Sequence, residues 1–237
     1  MKNKNAKFRR NGSIIGTIVC CLWLLNGCVS MAPINSSYES AKTLNKGQIE
    51  LTGNYSSYSL RTEDEYEKKG TEKVNKNYGF RIGYGITPRL DLKFRYERLV
   101  PALQEDKDQL DGANYFALTP RYGFLKDHIT GALDIGLYTY YLKEDKQSDA
   151  IFFFTPRLAF TYPSGKYFDL TLNAKVDVLP SESLTYWGLN LGCGISSDLN
   201  KWALRPEIGF INDFNGATWF NAGAAIVLKF DALRTEK

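Results

Sequence analysis

The stretch Arg81–Glu97, RIGYGITPRLDLKFRYE, contains the two features that decide the fold: strict alternation and a tight turn. After the tripeptide Thr87-Pro88-Arg89, every second residue is apolar and the residues between are charged. Because successive side chains of a β-strand point to opposite faces, this pattern is typical of a strand with one apolar and one charged face. The stretch therefore predicts two antiparallel strands joined by a short turn that contains proline.

The same alternation recurs along the chain, and no segment after the first 27 residues has a clear helical period. Each run has about nine to thirteen residues, close to the length of a tilted strand that crosses a bilayer. Strands of ordinary globular proteins are shorter. The predicted strands are residues 47–59, 78–86, 90–98, 113–124, 130–142, 150–162, 167–178, 185–197, 202–211 and 218–230.

The connections between these runs alternate in length. The gaps after the even-numbered runs are short, as at Thr87–Arg89 and Pro163–Lys166. Some of the gaps after odd-numbered runs are long and polar, as at Leu60–Asn77 and Leu99–Gly112. Alternating turns and loops are typical of a barrel in an outer membrane, with the turns in the periplasm and the loops outside.

With this pattern of strands and connections, residues 47–230 resemble the small outer-membrane β-barrel proteins of Gram-negative bacteria. The resemblance is carried by Arg81–Glu97 and by the last predicted strand, TWFNAGAAIVLKF, which is similar to a barrel-assembly signal. Such signals favour an aromatic terminal residue, but here Phe230 is followed by DALRTEK. The resemblance implies an all-β fold: a ten-stranded antiparallel up-and-down transmembrane β-barrel with a polar, charge-filled lumen.

The first 27 residues have the pattern of a signal peptide, with a basic start and an apolar run over residues 13–25. The run ends in LLNGC, which resembles a bacterial lipobox with Leu25, Gly27 and Cys28 in the expected places. This resemblance implies cleavage before Cys28 and a lipid on its sulfur. The alternative is an ordinary secretory signal with an incidental cysteine.

These features predict four parts: a signal peptide over 1–27, a lipid-anchored tether over 28–46, the barrel over 47–230 and a short periplasmic tail over 231–237. The predicted location is the bacterial outer membrane, with the N- and C-termini both periplasmic. The lipids of that membrane are the first expected partners.

Charge and cysteine content exclude several function classes. The chain has 30 Lys+Arg and 26 Asp+Glu, and the predicted signal peptide contains basic residues but no acidic ones. The remainder is close to neutral, so the basic composition is no evidence for nucleic-acid binding. Cys193 is the only cysteine after Cys28, which leaves no disulfide framework and no metal-ligand spacing. We expect no cofactor and no metal.

Catalytic chemistry is also not indicated. The single histidine, His128, lies in a predicted periplasmic turn, and no second histidine is available as a general base at the outer rim. We therefore expect no catalytic residues and a protein that is not an enzyme.

The inward-facing positions of the predicted barrel carry charges of alternating sign on successive strands. Opposite charges on neighbouring strands attract, and a ten-stranded barrel is narrow. Inward glycines such as Gly83, Gly85, Gly136, Gly192 and Gly194 would leave room for the long arginines. We therefore predict a lumen closed by a salt-bridge belt, with a narrow channel as the rival. The belt residues are Asp91, Arg121, Asp134, Arg157, Asp169, and Arg205 or Glu207.

Three prolines fall within predicted strands: Pro120, Pro156 and Pro206. Each lies beside an inward arginine and would itself face lipid. Because proline has no amide proton for the ladder, we predict bulges or broken pairs in one layer at that height.

The predicted function is that of a non-enzymatic, lipid-anchored outer-membrane barrel with a closed or very narrow lumen. It would act through its loops as a surface, interaction or envelope-structural protein, and the loop over 60–77 is the expected contact for an envelope or surface protein. One alternative is a narrow small-solute channel. Another is a periplasmic, lipid-anchored, ligand-binding barrel with apolar residues inside. An enzyme is the least favoured alternative, and the sequence leaves the oligomeric state open.

Overall fold

The computed structural model describes residues 31–62, 70–102, 110–142 and 147–231. Ten antiparallel strands form a closed barrel in which each strand pairs with its neighbours in sequence and β10 pairs with β1. The ten-stranded up-and-down prediction is confirmed. The strands are β1 (Gln48–Thr62), β2 (Gly70–Thr87), β3 (Leu90–Pro101), β4 (Leu110–Leu125), β5 (Ile129–Leu142), β6 (Gln147–Ser164), β7 (Phe168–Leu179), β8 (Leu184–Ile195), β9 (Trp202–Asn212) and β10 (Thr218–Asp231).

The two faces of the wall differ as the alternation predicts. Along β3 the charged residues Asp91, Lys93, Arg95 and Glu97 are buried in the lumen, whereas Phe94 points outward and is exposed. Large apolar side chains cover the outer surface in the same way on the other strands, and these include Phe80, Leu118, Phe152, Leu158, Leu172, Leu204 and Ile226. A ligand-binding barrel whose interior is apolar along its length is therefore ruled out, because most large apolar side chains face outward and the charged ones face inward.

The two ends of the barrel are not alike. At the end that we call the turn end, short connections follow β2, β4, β6 and β8, and β1 begins and β10 ends there. At the opposite end, called the loop end, β7 and β8 are joined by a 3-10 turn over Pro180–Glu182. In the described ranges, no helix is long and apolar enough to cross a membrane.

The loop predicted over 60–77 is much shorter than expected. β1 continues to Thr62 and β2 begins at Gly70, and the two strands pair as far as Thr62 and Gly70. The polar residues of this stretch alternate only weakly with apolar ones, so the sequence predicts a loop there. Cross-strand pairing extends the hairpin through them all the same, with one register shift between Tyr58 and Ser59.

The strand prolines interrupt the ladder without adding a bulge. On β4, pairing with β5 is missing between Leu118 and Arg121, and the register is the same on both sides of Pro120. Pairing of β6 with β7 is likewise missing between Phe154 and Arg157, around Pro156. Pairing of β8 with β9 lapses around Pro206. Broken pairs are therefore the outcome, because the lost donor removes ladder bonds on one side only.

Candidate functional site: a chain segment inside the lumen

The lumen of the barrel is occupied by the chain itself. Residues 31–47, which we call the lumen segment, run through it without regular secondary structure, and most of their side chains are buried. Tyr38, at the middle of the segment, has a left-handed φ of 54°. The tether predicted over 28–46 therefore lies inside the barrel wherever it is described. Small polar residues are typical of a flexible linker, but they are also small enough and polar enough for a narrow polar lumen. Composition therefore does not distinguish the two. Cys28, the predicted lipidation site, is outside the described residues.

The lumen segment crosses the barrel from the loop end to the turn end. Ala32 donates its amide to Asn75 Oδ1 near the loop end (3.0 Å), and Leu44 donates to Asp91 Oδ2 near the turn end (2.9 Å). The chain then reverses at Gly47, whose positive φ of 76° suits glycine, and enters β1. Met31 and Asp231 consequently lie at opposite ends of the barrel. The termini themselves, for which the sequence predicts one side of the membrane, lie outside the described residues.

Wall side chains bind the backbone of the segment along its length. Glu207 on β9 accepts the amides of Ser37 (2.7 Å) and Tyr38 (2.8 Å). Arg81 and Arg121 donate to the carbonyls of Ser37 (2.6 Å) and Ser40 (2.7 Å). A segment outside helices and sheets lacks their backbone hydrogen bonds, so its buried amides and carbonyls need such partners. The other wall residues that bind its backbone are Tyr58, Arg95, Thr130, Tyr138, Thr161, Asn173, Lys175 and Asn190.

Glu39 of the segment lies at the centre of the wall cations. Its Oε2 accepts a hydrogen bond from Arg157 Nη1 at 2.9 Å. Its Oε1 lies 3.0 Å from Arg81 Nη1, 3.3 Å from Lys93 Nζ and 3.8 Å from Arg121 Nη1. These three contacts are ion pairs without hydrogen-bond geometry. One buried carboxylate therefore compensates cations from β2, β3, β4 and β6.

The predicted belt residues are all buried in the lumen, but they form separate pairs. Arg157 Nη2 lies 2.8 Å from Asp134 Oδ1, and Arg121 Nε lies 3.8 Å from Asp91 Oδ1. Among the described residues, no ion pair joins Arg121 to Asp134, because both arginines turn toward Glu39. The belt is thus completed by the lumen segment and not by the wall alone.

The remaining belt residues have different partners. Arg205 on β9 makes a bidentate pair with Asp169 on β7, at 2.9 Å and 2.6 Å. The pair spans β8 at Gly194, where an added Cβ would lie only 2.8 Å from Arg205 Nη2. Here the inward glycine leaves room for an arginine, as predicted. Glu207 instead binds the lumen segment.

Other inward glycines make room for the segment itself. An added Cβ at Gly188 would lie 2.2 Å from Asn35 Oδ1, and one at Gly83 would lie 3.1 Å from Leu44 Cδ1. Asn35 fills this space with a network, since its Nδ2 lies within hydrogen-bond distance of Asn221 Oδ1 (2.7 Å), Phe210 O (2.9 Å) and Asn190 Oδ1 (3.0 Å). Its two N–H groups are shared among these acceptors. The wall therefore complements the segment in shape, through its glycines, as well as in charge.

At the loop end the segment packs against apolar side chains. Ile34 is buried with Tyr115, Phe153 and Leu179, and Met31 packs against the same cluster. Tyr115 stacks on Phe153 with ring centroids 4.8 Å apart. Ala32 belongs to a second cluster on the other side of the lumen, together with Tyr58, Val74, Ile211 and Trp219.

Sequence reasoning missed Glu39, the carboxylate on which four wall cations converge. The alternation of LDLKFRYE places Lys93 and Arg95 on the polar face of β3, and both do face the lumen. Glu39 lies outside any strand, so no period marks it. An indirect signal was inward glycine: an added Cβ at Gly83 would meet Leu44 of the segment and not an arginine.

The candidates for catalysis stay apart. His128 lies in the turn after β4, where its Nδ1 is 3.3 Å from the carbonyl oxygen of Thr161. Cys193 is a free thiol on β8. In the described part of the chain, no group of His, Cys, Asp and Glu has the arrangement of a metal site.

No protein-family model and no curated protein matches this sequence. Solved structures do match in fold. One is an outer membrane channel from Pseudomonas putida F1, with 12% identity, a TM-score of 0.44, and coverage of 85% of this chain and 100% of that one. Another is the translocator domain of the autotransporter NalP from Neisseria meningitidis, with 9% identity, a TM-score of 0.43, and coverage of 78% and 90%. The attachment invasion locus protein Ail of Yersinia pestis has 10% identity, a TM-score of 0.32, and coverage of 78% and 99%.

A closed antiparallel barrel that is apolar outside and polar inside, with short turns at one end, is the architecture of outer-membrane β-barrels. The chain has this architecture.

Proposed function

We propose that the protein is a non-enzymatic outer-membrane barrel whose lumen is closed by its own residues 31–47. The observation that supports closure is the pairing of the segment's backbone with side chains from β1 through β9. A solute pathway would need those side chains to face water, but here they bind protein. By analogy with other barrels of this architecture, the turn end faces the periplasm and the loop end faces outward.

Conductance tests closure directly. The intact protein in a planar bilayer is expected to give no steady current steps, because the lumen segment and its partners exclude a continuous water path. A variant that lacks residues 32–44 is expected to conduct. If that variant migrates differently on a gel with and without heating, its barrel still forms and resists the detergent. Steady steps from the intact protein, equal to those of the deletion, would contradict closure.

Labelling tests the path of the segment across the membrane. In a Cys193→Ser background, Met31→Cys is expected to react with an impermeant thiol reagent at the cell surface. Asp231→Cys is expected to react only after the outer membrane is permeabilised. Both residues are at least partly accessible. Labelling of both cysteines from the same side would contradict the described path.

Lipidation of Cys28 is part of the same proposal and is supported by the LLNGC motif. Intact mass of the purified protein is expected to show a diacylglyceryl cysteine as the first residue. Cys28→Ser should remove the lipid, while Cys193→Ser, the matched control, should leave it in place. A mature chain without a lipid mass would contradict the proposal.

We also propose that the β1–β2 hairpin contacts an envelope or surface protein. Its described part carries exposed charges at Glu72, Lys73 and Lys76. Photo-crosslinking from position 73 is expected to capture a discrete partner that position 215, in the β9–β10 connection, does not capture. Identical crosslinks from both positions would count against a specific contact by the hairpin.

The second candidate function is a narrow channel that opens when the lumen segment leaves. The observation that favours it is the way the segment is held. Residues 31–45 pair with the wall through side chains and belong to no strand. The segment could therefore leave without breaking the sheet. A conductance that appears only under conditions that release the segment, such as a change of voltage, would support this second function.

A further inference from the structure

A cavity of about 310 Å³ opens at the turn end, and its lining is rich in cations. It lies among the connections that follow β4, β6 and β8, beneath the turn-end part of the lumen segment. Its basic residues are Lys42, Lys166, Arg205 and Lys229. Closure of the lumen uses the carbonyl of Ser40 and the hydroxyl of Thr161 from this lining, but not its lysine side chains. The proposed hairpin contact lies at the opposite end of the barrel.

The acidic residues of the cavity do not balance these cations. Asp169 is committed to Arg205 through the bidentate pair. Asp127 is the other carboxylate in the lining. Within the described residues, no carboxylate lies within ion-pair distance of the Nζ atoms of Lys42, Lys166 or Lys229. The cavity therefore has an excess of positive charge.

Two of the unpaired lysines are held in place by neutral groups. Lys42 Nζ donates to Asn200 Oδ1 at 2.6 Å, and Lys229 Nζ donates to the carbonyl of Leu199 at 3.3 Å. Both acceptors belong to the connection after β8, so the two ammonium groups are anchored beside each other. Each ammonium has further N–H donors free, because a lysine carries three.

The lining adds a neutral donor. Ser40 of the lumen segment is buried and borders the cavity. No described residue accepts a hydrogen bond from its hydroxyl. Lysine ammonium groups and hydroxyls that converge on one semi-enclosed space suit an anion with several oxygens.

We propose that this cavity binds a small multivalent oxyanion of the phosphate type. Lys42 and Ser40 would bind it from the lumen segment, and Lys229 and Lys166 from the wall. The ligand would therefore bridge the segment and the barrel. Its source is either a soluble phosphate compound or the phosphate of a lipid headgroup.

The test is calorimetric titration of the intact protein in neutral detergent with inorganic pyrophosphate. Saturable binding with about one site per chain is expected, and added salt should weaken it because the contacts are charged. Lys42→Gln and Lys229→Gln should each weaken binding about fivefold or more, since one charge contact contributes about 1 kcal/mol even in a watery site. The double variant should show no saturable binding.

The matched control is Lys201→Gln. Lys201 lies at the same end of the barrel, but it pairs with Asp198 and does not line the cavity. Equal weakening by Lys201→Gln, or unchanged binding in the double variant, would overturn the proposed site. The binding would then be non-specific attraction of pyrophosphate to the positive charges of the turn end. Absence of any saturable binding by protein purified free of bound lipid would also overturn it.

Nanodiscs separate the two sources of phosphate. Pyrophosphate binding that persists in phosphatidylcholine discs and is lost in phosphatidylglycerol discs would identify the lipid headgroup as the ligand. Binding that is equal in both would identify a soluble ligand. A second readout is acylation of Lys229 by an added reagent, which bound phosphatidylglycerol should slow. The proposal would be overturned if pyrophosphate binds in neither disc and phosphatidylglycerol does not slow this acylation. A silent bilayer would still support closure, so the two proposals fail separately.

Discussion

The lumen segment is held in two different ways along its length. Near the loop end, Met31 and Ile34 are packed among apolar and aromatic side chains. From Ser37 to Leu44, the segment is bound by charged side chains of the wall. Carboxylates accept hydrogen bonds from its amides, arginines donate to its carbonyls, and cations pair with the carboxylate of Glu39. Apolar packing is non-directional and excludes water. Each charged contact, in contrast, depends on the distance and direction between two particular atoms. The comparison indicates that the loop-end part seals the lumen and the charged part fixes the register.

Removal of the central charge should have the largest effect. Glu39→Gln leaves cations from four strands without their shared carboxylate, and breaking one side of a buried ion pair costs about 3–5 kcal/mol. We expect the urea midpoint of unfolding to fall and current steps to appear in a planar bilayer. The matched control is Glu182→Gln, because Glu182 is exposed in the 3-10 turn. Unchanged stability and a silent bilayer for Glu39→Gln would show that the wall cations need no compensation.

Loss of apolar packing should come next. Ile34→Ala removes a buried side chain and should lower the free energy of unfolding by about 3 kcal/mol, a usual cost for such a cavity. We expect water to reach the loop-end cluster, which hydrogen exchange at neighbouring amides would detect. Ile226→Ala, on the lipid-facing outer wall, is the control: it should lower the free energy of unfolding, because apolar area in lipid is lost, but leave exchange at the loop-end amides unchanged. An Ile34→Ala protein that exchanges no faster than the wild type would argue against a seal at the loop end.

A steric change at the junction of the two parts should be smaller. Gly188→Ala places a Cβ against Asn35 Oδ1, and overpacking of this kind costs about 1–3 kcal/mol. The Asn35 network should be displaced, and the segment should be cleaved faster by a protease added from outside. At Gly53 an added Cβ meets nothing within 4 Å, so Gly53→Ala is the matched control. Equal protection of both variants would mean that the space at Gly188 is not used to seat the segment.

A change to a wall-only ion pair should have the smallest effect. Arg205→Lys loses the bidentate geometry with Asp169, because lysine acts as a point charge. The expected cost is about 1–2 kcal/mol of stability, with no current in a bilayer, since this pair does not contact Glu39. Lys201→Gln, at the exposed pair with Asp198, should change nothing measurable. Current steps from Arg205→Lys would mean that the wall pairs also hold the segment in place.

Much of the wall could be predicted from sequence because its pattern is local. Alternation in LDLKFRYE fixes which residues of β3 face inward, whatever the rest of the chain does. Turn chemistry at Thr87–Arg89 fixes where β2 ends and β3 begins. The inward position of Arg121 and Arg157 followed from the same period. Asp91 and Asp134 on the neighbouring strands followed from the alternating charges as well. The shared partner Glu39 did not, because it is far away in sequence and lies outside any strand.

The amino-acid sequence by itself determined the ten strands, their order, the apolar exterior and the charges of the interior, since each follows from a period of two and from turn residues. Only the tertiary structure decided what fills the barrel. Residues 31–47 have no period and no strong local preference, so their conformation is set by what surrounds them. Closure of the sheet creates a narrow polar space with glycine recesses and unpaired cations. The segment fits there because its backbone and Glu39 supply the partners that the wall lacks.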